Sequence, residues 1–543
     1  MPHVIIVGAG VSGAACAERL AHTTGAAITV LDSAPRVGGR TLSAPTRGGA
    51  VVDLGGQWIG AKQDAALHVI RELGLTLHPQ FTRGKRVLQL SGSIRTYTGL
   101  IPNASFAVLV DAQLTLLLIV LLRGLLWCLP AASLLARWCD GASVAALTRR
   151  AMWTAGGRAL VRVVVQGLFG CEPEDLSVLA FCRYVGASGG VEAMTEVGPG
   201  TLQCWTVVGG TQQLGAGLLA RAGARVRVLL EHRVVSLQQQ PGGGGSSGGG
   251  APTVRVTCAN GAVLEADVVI LALPPPLAGN VTFRPELDAP RCALMAGARM
   301  GGIIKSVAVY ERPFWREAGF SGEAVADTSE AGSGPVFNGF DNSLPTPGAA
   351  ARTATLPASA GAAAGLPLTS GTDGATLPAL VLFINGAKAV EWSGRPAEER
   401  RSAVLAQLAR WYGPAALSPL EYLEKDWCAD EHTRGCPIAS YPAAVLSAYG
   451  LPRRLAEPCW PVGGGGGGGG GAARHLLHWA GTETATVGTG FIDGAIRAGW
   501  AAAEGVAREL AGAGEGVEVT AAAPPRGDAS PTDIGQGLLS NEV

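Results

Sequence analysis

Gly8, Gly10 and Gly13 follow the apolar run Val4–Val7 and make a Gly-x-Gly-x-x-Gly turn. The spacing suits a dinucleotide. Gly8 permits a tight turn, Gly10 lets backbone approach a pyrophosphate, and Gly13 allows a helix to pack closely on its strand. The predicted helix over Gly13–Ala21 aims its first amides, with Val11 and Ser12 in the turn, and its positive dipole end at the phosphates. Asp32 ends a second predicted strand, Ala27–Leu31, about 20 residues on, where an acid can take a ribose hydroxyl. Strand, turn, helix, strand and acid in that order are more specific than the glycines alone. The competing reading is a glycine-rich loop with no ligand.

Lys305 lies in the predicted strand Ile303–Tyr310, on the same face as Ile303, Val307 and Val309. A lysine on an apolar face is costly unless it has a partner. The other face is also mostly apolar, so a lysine that snorkels to the surface is the alternative. Cys436, in the segment Asp426–Pro437, is either an inert buried thiol or, as a thiolate, a nucleophile. The eight histidines are scattered. His475 and His478 share a predicted strand edge and read as solvated. Glu172, Glu174 and Asp175 read as an acid cluster at a helix start. No Ser/His/Asp or metal-ligating constellation competes.

The stretch Ala480-Gly481-Thr482-Glu483-Thr484-Ala485-Thr486, followed by Gly490-Phe491-Ile492-Asp493-Gly494-Ala495, together with the N-terminal turn, resembles the flavin amine oxidases of the monoamine oxidase family. The resemblance runs from Pro2 to about Leu510 and implies FAD. It is carried further by Arg36–Thr41 and Val52–Trp58. By it, Gly39 and Arg40 lie at the pyrophosphate, and Gly55, Gly56, Gln57 and Trp58 pass beside the flavin ring. The backbone of Val234 holds adenine. Gly481, Thr482, Glu483, Phe491 and Ile492 belong to the flavin site, and Lys305 holds a water against flavin N5. Cys436, after Trp427-Cys428 and Gly435, matches the cysteine that carries FAD as an 8α thioether; Cys428 is its nearest competitor. Gln203 matches a glutamine lining the substrate site. The chain departs from the family at four places. Asp32 stands for a glutamate, Pro437 and Phe491 for the two tyrosines that sandwich the amine, and Gly488 for a tryptophan. These changes widen the site and weigh against strict arylalkyl monoamine specificity.

The elements needed to position these residues read as an α/β protein. An FAD-binding Rossmann-like domain (1–88, 207–298 and 424–510) would carry an inserted substrate domain of mixed sheet and helices (89–206 and 299–423). With 543 residues, two large domains are expected. Three low-complexity segments, 241–251, 343–376 and 463–471, read as flexible surface insertions, and 511–543 as a disordered tail. Formal charge is zero, which excludes a nucleic-acid binder. Eleven cysteines without a CxxC pair argue against a disulfide framework. The first strand starts beside Met1, so no secretory signal is expected, and a cytoplasmic or soluble organellar setting fits. The apolar stretch Phe106–Ala136 is interrupted by Asp111, Arg123 and Pro130 into uncharged pieces shorter than the about 20 residues of a spanning helix. It reads as a buried or interfacial helix, with at most weak peripheral contact with a membrane and no transmembrane anchor. The expected activity is oxidation of a small amine by O2 to aldehyde, ammonia and hydrogen peroxide. Open alternatives are a related flavin oxidase of polyamines, amino acids or a porphyrin or carotenoid precursor, and a flavoprotein scaffold with little turnover.

Overall fold

The computed structural model describes residues 1–512, apart from 91, 100–104, 130–132, 189, 191–196, 243–250, 330–331, 347–352, 357, 370–375, 450–451 and 463–473. The Gly-rich segment after Val462, most of 241–251 and nearly all of the C-terminal tail therefore lie outside the described residues.

A six-stranded sheet carries the nucleotide end, in the order Val226–Leu229, Ala27–Leu31, His3–Val7, Val268–Leu271, Arg474–Trp479, Cys459–Val462. All pairs are parallel except the last. Val4, Ile5, Ile6 and Val7 are buried on both faces, as a central parallel strand requires. Helix Val11–Thr23 packs across the C-terminal helix Ile492–Gly512. The two ends of the chain therefore meet at the mouth of one sheet.

A seven-stranded sheet forms the other half. Its order is Glu421–Asp426, Ile303–Val309, Ala379–Asn385, Asn338–Asp341, Phe320–Ala326, Lys85–Leu90, Ser93–Tyr97. The expected boundaries at 88 and 424 fall inside strands of this sheet, because Lys85–Leu90 and Glu421–Asp426 hydrogen-bond to its neighbours.

Three expectations are corrected. Part of 343–376 is docked rather than a loose decoration: Leu344–Pro345 pairs with Thr376–Leu377, and Ala363 and Leu366 are fully buried against Leu77 and its neighbours. An Ala/Gly/Thr-rich segment can pack where a few well-placed apolar residues meet an existing groove. His475 and His478 are not solvated. Both ring systems and the His475 amide bond the Glu509 carboxylate of the C-terminal helix. Burial pushes that carboxyl up, but these bonds outweigh it and hold it at about 2. Glu172 and Glu174 do not open a helix. They grip Arg162 at 2.5 and 3.1 Å, just beyond the end of helix Ala155–Phe169.

The apolar stretch also differs from the expectation. Arg123 does not interrupt it: Phe106–Cys128 is one helix of 23 residues, and its first 21 have a mean hydropathy of 2.1. By length and composition it is long enough to cross a bilayer.

Candidate functional site

The glycine turn leads into the first helix where a side chain has no room. A Cβ on Gly13 would lie 1.9 Å from the Gly8 carbonyl oxygen. Gly8 itself has a φ of +111°, which only glycine adopts without strain. The turn is closed by Gly8 N–H donating to Leu31 O at 2.7 Å and Gly38 N–H to Ala9 O at 2.9 Å. Asp32 accepts from the Ala9 and Ala34 amides at 2.6 and 2.8 Å. Burial pushes its carboxyl up, and those two amides oppose the rise.

Around this turn lies a cavity of about 370 Å³. Gly8, Gly10, Val11, Ser12, Asp32, Gly39, Arg40, Gly56, Val234, Cys436, Pro437, Gly481, Thr482, Phe491 and Ile492 all line it. Residues from the first 60 and the last 110 positions thus share one wall. The join is specific. Ser12 Oγ accepts from the Gly481 amide at 2.8 Å. Arg40 forms a two-pronged pair with Glu483, Nη1–Oε1 at 2.6 Å and Nη2–Oε2 at 3.0 Å, and Nη1 also donates to Pro437 O at 2.8 Å. Burial disfavours the Arg40 charge, but Glu483 outweighs it and holds the guanidinium above its usual range.

Lys305 is 2% exposed, so the snorkelling alternative does not hold. Its strand is flanked on both sides by other strands, and Nζ donates to Gly55 O at 2.8 Å and Gln57 Oε1 at 2.5 Å. Nζ also stands 5.3 Å from the Phe383 ring centre and 5.9 Å from that of Trp58. Burial lowers its pKa to about 7, against the pull of Asp53 and Cys436. Asp53 is pushed up by burial to about 6, although Lys305, Ser43 and Thr211 stabilise its charge. The pair is poised near neutrality, a common property of reacting sites.

Cys436 is buried in the cavity wall. Burial raises its thiol to about 11, while Arg40 and Lys305 pull the other way. Cys428 does not line the cavity; its Sγ faces Ile303 O at 3.9 Å. Trp427 is a support behind the wall, with Nε1 donating to Leu54 O at 2.8 Å. Gln203 is also outside the cavity lining, and its Oε1 is buried with no partner among the described residues.

Several neighbours escaped sequence reasoning. Phe340 and Phe383 form an aromatic box with Trp58, at 5.2 and 5.9 Å between ring centres. Each phenylalanine is the one aromatic residue of its strand, Asn338–Asp341 and Ala379–Asn385, so no aromatic pattern in the sequence signalled the box. Tyr184 stacks on Phe491 at 6.0 Å and 20°. It also lines a second cavity of about 280 Å³, with Tyr441, Glu483 and Arg123 among its other walls. Nothing in the sequence around Tyr184 pointed there.

The sequence profile of flavin containing amine oxidoreductases matches residues 11–507. The Mycobacterium tuberculosis protein named flavin-containing monoamine oxidase AofH is 34% identical over 93% of this chain and 97% of its own. The flavin-containing amine oxidase B of Bos taurus is 29% identical over 93% and 85%. Among solved structures, cyclohexylamine oxidase from Brevibacterium oxydans aligns with a TM-score of 0.77 at 26% identity, covering 94% of this chain and 99% of that one. Putrescine oxidase bound to putrescine aligns at 0.75 and 26%, covering 93% and 98%.

Proposed function

Because the chain belongs to the flavin containing amine oxidoreductase family and is an FAD-dependent amine oxidase, we propose that the cavity between its two ends holds that FAD and that Lys305 serves it as the catalytic cation. The observation that carries this reading is the convergence of the N-terminal glycine turn, Arg40, Lys305 and Glu483 on one buried region. The residues fit the cofactor. At Gly10 and Gly56 an added methyl would meet protein atoms no nearer than 3.9 Å, so their bare backbone faces open space. In this reading Gly10 to Gly13 approach the pyrophosphate, Asp32 takes the ribose and the Val234 backbone takes adenine. Bound there, FAD supplies the two-electron redox chemistry.

The chain's own residues do the rest. The aromatic box and Phe491 give the amine an apolar, desolvated site, which favours its neutral, reactive form. The amine loses two electrons and two protons to become an imine, and water cleaves that to aldehyde and ammonia. O2 takes up the two electrons and two protons as hydrogen peroxide. Lys305, held by Gly55 O and Gln57, places a positive charge where negative charge develops on oxygen.

Pro437 presents no aromatic ring opposite Phe491, so Phe491 has no partner there with which to sandwich the amine. This supports a substrate range that extends beyond arylalkyl amines to cyclic alkyl amines and short diamines. The test is a peroxide assay on purified holoprotein with phenethylamine, cyclohexylamine and putrescine. Release above background is expected with at least one of the two alkyl amines. Turnover of phenethylamine alone would reject the open-site reading, and no peroxide from any amine by yellow protein would reject Lys305 and the box as working machinery.

Within the same reading, Cys436 is the attachment point for a covalent flavin. It lines the cavity, and although burial raises its thiol to about 11, Arg40 and Lys305 favour the thiolate against that rise. Acid precipitation of wild type is expected to leave yellow colour in the pellet, and Cys436→Ala to release it into the supernatant. Flavin freed from wild type by acid removes the covalent assignment.

A further inference from the structure

Helix Phe106–Cys128 has two unlike stripes. Asp111, Thr115, Ile119, Leu122 and Leu126 face the protein and are buried. Leu114, Leu117, Leu121 and Leu125 recur at intervals of three and four on the outside, between 43% and 59% exposed, with Phe106 at 84% beyond them. Soluble proteins rarely leave a contiguous apolar stripe of this length uncovered.

We infer that this helix is a membrane-docking face and lies in the headgroup plane of an anionic bilayer without crossing it. Crossing is opposed by its anchoring. The Asp111 carboxylate is fully buried and accepts from the Thr154 amide and hydroxyl at 2.8 and 2.5 Å, which ties the helix to the start of Ala155–Phe169. Ile119, Leu122 and Leu126 belong to the largest buried cluster. Pulling the helix out to span a bilayer would break all of these at once.

The occupant is chosen by charge and by tryptophan. Among described residues 105–153, both acids, Asp111 and Asp140, are fully buried. The charged groups that reach solvent there are all arginines: Arg137, Arg149 and Arg150 are exposed and Arg123 half-buried. Arg149 has a long 4.0 Å contact with Glu174, and among the described residues neither Arg137 nor Arg150 has an acidic partner. Arginines so little offset by acids in the segments that follow the helix repel the same set in a second copy and attract anionic headgroups. Trp153, whose amide also points to Asp111, is 58% exposed; Trp138 is 48% exposed, on the next helix after the stripe, beside Leu134 at 84%. Tryptophan has one apolar end and one wet end and collects at that depth. An apolar helix face followed by segments with exposed arginines and tryptophans is what an interfacial helix needs.

The test is flotation of full-length holoprotein with vesicles of phosphatidylcholine alone and of phosphatidylcholine with phosphatidylglycerol. Wild type is expected to float with the anionic vesicles, and molar salt to reduce this. L117S/L121S/L125S, which leaves the cavity walls untouched, should lower the partition by at least about a hundredfold while keeping flavin colour. R137Q/R150Q should lower it by about fivefold per arginine on anionic vesicles. The proposal is overturned if wild type floats with neither composition. It is equally overturned if wild type sediments as a dimer that L117S/L121S/L125S dissolves, which would make the stripe a contact between copies.

Discussion

Replacing Lys305 with Met is expected to slow reoxidation of reduced holoprotein by O2 by about 10²- to 10³-fold, the loss seen when one preorganised group is taken from developing charge. Anaerobic bleaching by amine should change far less, because that half-reaction builds no charge on oxygen. Stopped-flow spectroscopy separates the two. The side chain sits on a strand buried on both faces, and Met keeps most of its length and apolar volume. The variant is expected to fold. The loss of one cation leaves Gly55 O and Gln57 without their donor, a modest cost beside the kinetic one.

The same residue predicts a pH profile. Burial holds Lys305 at about 7, against the pull of Asp53 and Cys436. The charged form dominates below that value, so wild-type reoxidation should be fastest at low pH and fall as pH rises through about 7. Lys305→Met should be flat over that window. Amine-driven bleaching should run the other way, since the neutral amine gains as pH rises. If wild type and Lys305→Met share one reoxidation profile, the cation is not the group that titrates.

Much of this site was legible in the residues, and the parts that were not have physical reasons. The turn through Gly8, Gly10 and Gly13, and its tie to Asp32, were readable because a tight strand-to-helix turn imposes backbone demands that few sequences meet. The same holds for the C-terminal run around Gly481 and Glu483, which lines up with the turn only when both ends reach one sheet. The partner of Lys305 was not readable. Its carbonyl acceptor is backbone at Gly55, and its carboxamide is 248 positions away. Alternation on Ile303–Val309 could not orient it, because a strand between two neighbours, with protein on both sides, is apolar throughout. Composition misled twice. The Ala/Gly/Thr-rich segment before Thr376 has few apolar residues, yet Leu366 is fully buried. Arg123 looked like a helix interruption in a hydropathy profile. In the fold it extends from the helix side into the second cavity's wall, and the backbone hydrogen bonds run on past it.

The pair formed by Arg40 and Glu483 gives the second large expectation, since it welds residues 443 apart, Arg40 from the wall of the first cavity and Glu483 from the wall of the second. Their side chains are 20% and 3% exposed. Glu483→Gln removes the charge while keeping the shape and leaves a guanidinium largely out of water facing only neutral acceptors, the glutamine carbonyl and Pro437 O. Breaking a buried pair on one side costs about 3–5 kcal/mol. Thermal unfolding followed by near-ultraviolet circular dichroism should move down by several degrees, and flavin should be lost on gel filtration if it is not covalently held. Arg40→Leu alone should cost a comparable amount by stranding the carboxylate. The double variant, Arg40→Leu with Glu483→Leu, should recover part of the stability, because neither charge is then left alone. It should not recover cofactor retention, because the cation that the proposed FAD site sets toward the pyrophosphate is gone. A double variant that regains both would reduce the pair to a structural clamp, and single variants that unfold like wild type would show that the Ser12–Gly481 bond and the packing of Val11–Thr23 on Ile492–Gly512 hold the two ends together without it.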